Sequence, residues 1–463
     1  MKNRDSGNRS VGVHISKRKL TAILLALPAL LALIVVSRCT EFEFGREPGS
    51  SANETSSQSA ARGASRTDVA AWLEGGDVED GNRVALLLDG PETYEAMLEA
   101  IATASDHIHL ETYIIENDEV GYRIADALIE RARNNVDVRL IYDGYGSTDD
   151  ADYWGRLRDA GVRVHQFNPP DPLENIEFDS YQRRDHRKIL VVDGEVGFTG
   201  GVNFYDAYRA RPGGSEEKGH KSLLPWVDSG KDKKGWRDTH IQIEGPAVAE
   251  LQRIFVAHWE RLEAETLAGD RIFPQLPQMG EERVRFDVGV GGNEAPSEIY
   301  TAYLASFREA RHRIWITQAY FVPNDEFLDA LKEAARRGVD VKVIVPGVTD
   351  VTFILYASRA LYGELLEAGV QIFEFQEGVL HAKTAVIDGV WSTVGSSNLD
   401  YLSFLRNHEA DAVVIGAGFA ADMERVFQQD LERSRHITLE DWQRRPLGYK
   451  ILGWMAGRVK PWL

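Results

Sequence analysis

The chain has 463 residues, more than one hydrophobic core usually organises, so two globular units are expected. Hydrophobic residues make up 43% and charged residues 27%, which excludes both global disorder and a polytopic membrane protein. The single cysteine, Cys39, excludes an intramolecular disulfide framework and any cysteine-rich metal cluster. The net charge of −19 is unevenly spread: residues 1–66 carry ten Lys and Arg against five Asp and Glu, and the remainder carries 43 against 67. A body this acidic is a poor surface for polyphosphate backbones, so no nucleic-acid partner is expected.

Residues 1–19 are basic, and residues 20–38 open with an apolar run from Leu20 to Val36. Seventeen residues stand at the short limit for a membrane span. The positive flank would keep the N-terminus cytoplasmic and export the rest of the chain. An uncleaved signal anchor is the reading adopted. A cleaved signal peptide, with Val35 and Ser37 before the cut, is the main rival. A lipoprotein signal ending at Cys39 fits worst, because Arg38 stands where a small residue belongs. Residues 39–66 are Ser-, Gly- and Ala-rich and read as a flexible linker.

From residue 67 onward the chain repeats itself. DHIHLETYII (106–115) corresponds to HRIWITQAYF (312–321), NNVDVRLIYD (134–143) to RGVDVKVIVP (337–346), and GVRVHQF (161–167) to GVQIFEF (369–375). Helical stretches, YRIADALIERARNN and EFLDALKEAARRG, stand between the strands of each half. This alternation predicts an α/β fold of two similar lobes, mixed sheets flanked by helices, related by a pseudo-two-fold axis. The lobes are placed at 67–275 and 276–443, with the boundary in the Pro-containing RIFPQLPQMG. Residues 206–235 form a polar insertion around an apolar island, Leu223–Val227, which reads equally as a cover for a site or as an idle excursion. Residues 444–463 alternate basic with large apolar side chains, as an interfacial membrane helix would.

The most polar part of the repeat is HRKILVVDGEVGFTGGVN, His186 to Asn203, and HAKTAVIDGVWSTVGSSN, His381 to Asn398. Each has a His, a Lys two residues on, an Asp five further, and an Asn seventeen after the His. On a strand, His and Lys at i and i+2 share a face. The apolar ILVV and TAVI that come next would hold the pair rigid. Gly200-Gly201 and Gly395-Ser396 would let the backbone turn close to a bound group. Lys188 and Lys383 with the amides of Asn203 and Asn398 make a cationic, donor-rich cradle for a phosphate diester. One imidazole can attack phosphorus while the other protonates the leaving alkoxide. The lysines neutralise the developing charge, so neither metal nor cofactor is called for. The residues alone leave open which histidine attacks.

These two segments match the HxKxxxxD signature, and the chain resembles the phospholipase D superfamily over roughly residues 80–440. Within it, ETYII, TQAYFVP, WRDTHIQIEGPAV, GVLHAKTAVIDG, LDYLSFLRNHE and the closing RPLGYKILGWMAGRVKPWL resemble the bacterial cardiolipin synthase branch. The resemblance implies one active site between two lobes and a phosphohistidine intermediate, with His186 as nucleophile and His381 as general acid. It also implies His-orienting carboxylates, Glu409 and, less directly, Asp238. Asp193 and Asp388, the motif aspartates, are assigned to supporting the loop. Glu111 and Gln318, read as equivalent strand ends, are candidates for headgroup contact. The expected substrates are phosphatidylglycerol and a second phospholipid. The expected location is the bacterial inner membrane, with the catalytic body on the extracytoplasmic side. Hydrolysis to phosphatidic acid is the alternative outcome, and a nuclease of the same superfamily is a more distant one.

Overall fold

The computed structural model describes residues 78–169, 183–213, 235–292 and 296–445. The anchor, the linker, the apolar island of the insertion and the basic tail beyond Arg445 lie outside the described residues. Among the described residues no helix is long and apolar enough to cross a membrane.

The first half runs β1 (Glu79–Leu88), α1 (Asp89–Thr103), β2 (His107–Thr112), α2 (Glu119–Arg133), β3 (Asp137–Asp143), α3 (Ala151–Asp159), β4 (Arg163–Phe167), β5 (Ile189–Val192), β6 (Val196–Gly200), β7 (Thr239–Glu244) and α4 (Val248–Glu263). The second runs β8 (Glu282–Gly289), α5 (Glu298–Glu309), β9 (Arg313–Gln318), α6 (Asp325–Arg336), β10 (Asp340–Pro346), α7 (Thr352–Ala360), α8 (Tyr362–Glu367), β11 (Gln371–Phe375), β12 (Lys383–Ile387), β13 (Trp391–Gly395), α9 (Tyr401–Leu405), β14 (Glu409–Ile415), α10 (Ala417–Glu432), β15 (Ser434–Ile437) and α11 (Leu439–Arg444).

Local signals explain these elements. The α2 helix starts at Glu119 because the Asp118 carboxylate accepts from Gly121 N, and α6 starts at Asp325 because Asn324 caps Phe327 N. Both helices bury one stripe, Val120, Ile124 and Leu128 in α2 and Phe327, Leu331 and Ala334 in α6. The strands alternate faces as a period of two requires. Leu190 and Val192 of β5 join the cluster under α1 to α3, whereas Ile189 and Val191 join a central cluster. In β12, Ala385 and Ile387 pack under α5 and α6, and Val386 enters the same central cluster.

The strand order is β15-β11-β10-β9-β12-β13-β14-β8-β1-β7-β6-β5-β2-β3-β4. Each half therefore follows the same path, with β2, β3 and β4, like β9, β10 and β11, parallel and the inner strands antiparallel. The halves join where β1 pairs antiparallel with β8, Asn82 opposite Glu282. The central cluster spans this join: Val191, Ile241, Leu251 and Ile254 of the first half meet Phe286, Val414, Met423 and Phe427 of the second. The described residues fall within one compact unit beginning at Ser65.

Candidate active site

His186 and Lys188 stand just ahead of β5 rather than within it, and β12 begins at Lys383, after His381. The reason is a competing partner. Asp185 bridges to His408, with His186 N donating to His408 O at 2.9 Å and His408 N to Arg184 O at 2.8 Å. Arg237 bridges to Leu380 in the same way, with His381 N donating to Arg237 O at 2.7 Å. Each histidine segment thus pairs, just ahead of its strand, with the segment that carries the other half's carboxylate.

The side chains cross with the backbone. His186 Nδ1 lies 3.0 and 3.1 Å from the two oxygens of Glu409, and His381 Nδ1 lies 2.8 Å from Asp238 Oδ2. The strand registers place Gly200 opposite His240 and Gly395 opposite Asp411, so Asp238 and Glu409 each stand two residues earlier at equivalent positions. All four side chains are buried. With Nδ1 engaged by a carboxylate, Nε2 is the nitrogen left for chemistry.

Both lysines bend back onto their own motif: Lys188 Nζ donates to His186 O at 2.6 Å, and Lys383 Nζ donates to His381 O. Lys383 also lies 3.0 and 3.1 Å from the two ring nitrogens of His381. Burial lowers Lys188 to about 7, with the Lys383 ammonium adding to the fall, and lowers Lys383 to about 8 against the opposing pull of Asp238 and Glu409. Burial, then Lys188 and Lys383, hold His186 well below the usual imidazole range. Its partner Glu409 is pushed by burial up to about 7. The second pair is tuned differently. Burial raises Asp238, but His381 and then Lys383 outweigh it, and the carboxyl stays below its usual range.

Asn203 Oδ1 accepts from Ile114 N and its Nδ2 donates to the Tyr208 hydroxyl, each at 3.3 Å. Asn398 N donates to Ser403 Oγ at 3.1 Å, and among the described residues Asn398 Oδ1 has no partner. Asp193 and Asp388 lie beyond the far ends of β5 and β12, away from the histidines. Asp193 accepts from the backbone of Ser105, Asp106 and His107, and Asp388 from that of Arg311, His312 and Arg313, at 2.8–2.9 Å. They tie a turn to the start of β2 and of β9.

Three expectations change. The glycines allow close approach to a carboxylate of the next strand, because a Cβ on Gly201 would lie 2.1 Å from Asp238 Oδ1 and one on Gly395 would lie 1.9 Å from Asp411 Oδ1. Glu111 and Gln318 are not equivalent: Glu111 pairs with Ile189, whereas Gln318 pairs with Lys383. Glu111 is drawn instead into a buried cluster, 2.6 Å from Arg187 and 3.0 Å from His258. Glu111, Asp185 and His258 bring ligand-type atoms within 4.8 Å of one another, but the Arg187 guanidinium already supplies the positive charge among them. Sequence reasoning also missed two aromatic residues. The Tyr113 ring meets His186 edge-on at 4.9 Å beneath Lys188, and the Tyr208 hydroxyl lies 2.8 Å from His381 Nδ1. Proximity in sequence to Thr112 and to Asn203 is the only signal that could have found them.

Known proteins point the same way. The solved phosphatidylserine synthase of Haemophilus influenzae Rd KW20 shares the fold, with a TM-score of 0.58 and 13% identity over 82% of this chain and 93% of that one. A family model described as "Cardiolipin synthase, PLD-like domain" matches residues 97–209 and 303–431, one segment around each motif. Curated relatives named cardiolipin synthase include one from Geobacillus sp. (strain WCH70), 36% identical over 82% of this chain and 72% of its own length. Cardiolipin synthase 1 of Bacillus cereus (strain ATCC 14579) is 33% identical over 86% of this chain and 76% of its own length. The chain belongs to the cardiolipin synthase family of phospholipase D-like proteins.

Proposed function

We propose that the protein is a phosphatidyltransferase that joins two phosphatidyl units into cardiolipin. In the first step His186 Nε2 attacks phosphorus of a phosphatidylglycerol, and the P–O bond to the headgroup glycerol breaks. The Nε2 proton of His381 passes to that oxygen, and glycerol leaves. In the second step a headgroup hydroxyl of another phosphatidylglycerol attacks phosphorus, His381 takes up its proton, and the P–N bond breaks. Lys188 and Lys383 face the charge on the phosphoryl oxygens, and Asn203 and Asn398 contribute amide groups. Asp193 and Asp388 hold their loops and take no part in proton transfer.

The observation that carries this reading is the exchange of carboxylates between the halves. It gives two histidines at one seam with unlike partners: a Glu409 carboxyl near neutrality beside His186, and an Asp238 carboxylate that retains its charge beside His381. A neutral nucleophile and a proton-carrying acid are the states this chemistry requires. The apolar run within residues 20–38, its positive flank and the basic residues of 444–463 support a membrane-anchored protein with its catalytic body on the extracytoplasmic side.

The test is a product assay with purified protein in mixed micelles of labelled phosphatidylglycerol, run beside His186→Ala and His381→Ala. Cardiolipin and free glycerol, lost in both variants, are expected. Phosphatidic acid as sole product would make water the acceptor and overturn the transferase reading.

A further inference from the structure

We propose that Tyr208 is a positioning residue for the acid–base step, its hydroxyl fixing the His381 ring and stabilising the proton that the leaving group receives. The inference rests on His381 serving as the general acid.

Tyr208 ends a 3-10 turn, Asp206–Tyr208, just after Asn203, and its ring is fully buried. The turn is held from several sides. Asp206 N donates to Asp118 Oδ2 at 2.7 Å, and Val120 N to Asp206 Oδ1 at 3.2 Å. Gly235 N and Trp236 N both donate to Ala207 O, at 2.9 and 3.0 Å. At the start of α1, Gly90 leaves room for it, since a Cβ there would lie 2.0 Å from Tyr208 O. The ring stands between Tyr205 and Trp236 and meets His381 edge-on at 5.9 Å.

The hydroxyl therefore arrives with little freedom, 2.8 Å from the same Nδ1 that Asp238 reaches. Burial, and then Lys383 across the ring nitrogens, oppose an imidazolium at His381, while Asp238 favours it. A second oxygen at Nδ1 offsets part of that opposition, because an N–H that keeps two acceptors in a dry site is harder to ionise. Asn203 donates to the same hydroxyl. Among the described residues the His186 side has no such hydroxyl: Tyr113 offers only a ring edge.

The experiment compares wild type with Tyr208→Phe, full chain, in mixed micelles of two substrates. Phosphatidylglycerol needs its leaving oxygen protonated; phosphatidyl-p-nitrophenol releases a phenolate without help. With phosphatidylglycerol, kcat should fall about tenfold with KM little changed, the loss of roughly one hydrogen bond in the transition state. The first-turnover burst of nitrophenolate should stay near wild type, which also certifies the fold and His186. Equal loss on both substrates, or no loss with phosphatidylglycerol, would overturn the role of Tyr208. His381→Ala should show the same split more strongly. If it lost both reactions equally, the acid role of His381 would fall, and the Tyr208 inference with it.

Discussion

His186 and His381 occupy the same place in the same motif, yet their surroundings give them different proton chemistry. Burial raises Glu409 to about 7, while Asp238 is held below the usual carboxylate range by His381 and Lys383 against burial. Replacing Glu409 by Gln puts an amide that can donate to Nδ1 in place of a carboxylate that only accepts, so the Nδ1–H tautomer of His186 is no longer selected. Phosphohistidine formation, measured by rapid quench with labelled phosphatidylglycerol, should slow on the order of 10³-fold. The lysines set a pH limit of their own. Burial lowers both, so the free enzyme loses its cations as pH rises through about 7 for Lys188 and about 8 for Lys383. Because kcat/KM reports the free enzyme, it should fall across that window as pH increases. The plateau of kcat should extend to higher pH, since a bound phosphodiester restores charge to both lysines. A kcat/KM that stayed level to pH 9 would contradict this assignment.

At the scale of elements, the motif separates into a chemical end and a structural end. The histidine and lysine stand at the entry to β5 and β12, and the aspartate lies past their far ends, bound to backbone amides at the start of β2 and β9. Asp388→Ala leaves three amides without their acceptor and should cost about 2 kcal/mol in urea denaturation. Its kcat per folded molecule should stay within a few-fold of wild type, unlike that of His381→Ala. Gly201→Ala should do the reverse. Its methyl group would occupy the space of Asp238 Oδ1 and push the carboxylate away from His381. The expected loss is about 100-fold in kcat, the usual cost of misplacing a catalytic group by an ångström. The period-two and helical patterns anticipated these strands and helices well. They did not anticipate that the histidines lie outside the strands, because the competing backbone partners, His408 for the Asp185–His186 segment and Arg237 for the Leu380–His381 segment, come from the other half.

Across the whole molecule, each motif histidine takes its carboxylate from the other half, His186 from Glu409 and His381 from Asp238. The seam that completes these pairs is braced by an ion group drawn from both halves. Arg237, next to Asp238, is buried with Asp430 of α10 at 2.8 Å and with Asp89 at the start of α1 at 3.5 Å. Asp430→Ala would leave a buried guanidinium without its closest carboxylate and should cost about 3–5 kcal/mol. The β1–β8 pairing and the central cluster tie the halves into one cooperative structure. Circular dichroism, tryptophan fluorescence and loss of transferase activity should therefore share one midpoint in wild type and in this variant. A separate early loss of activity in wild type would show the seam opening on its own.

Length, hydrophobic period and the twofold recurrence of one motif suffice to read an α/β repeat, the succession of strands and helices within each half, and the two His–Lys–Asn sets. All of these are encoded by spacing over a few residues or by comparing one half with the other. The pairing of His186 with Glu409 and of His381 with Asp238 joins residues 223 and 143 positions apart, and no local pattern carries that information. Tyr208 and Glu111 make the same point. By sequence Tyr208 belongs to the opening of an insertion, and it is the packing of Gly90 and the bonds to Ala207 that aim it at His381. By sequence Glu111 is a candidate for headgroup contact, and it is Arg187 that claims it. A buried charge or hydroxyl takes the partner that packing brings within hydrogen-bond reach, and across a seam between two halves only the folded chain specifies which one that is.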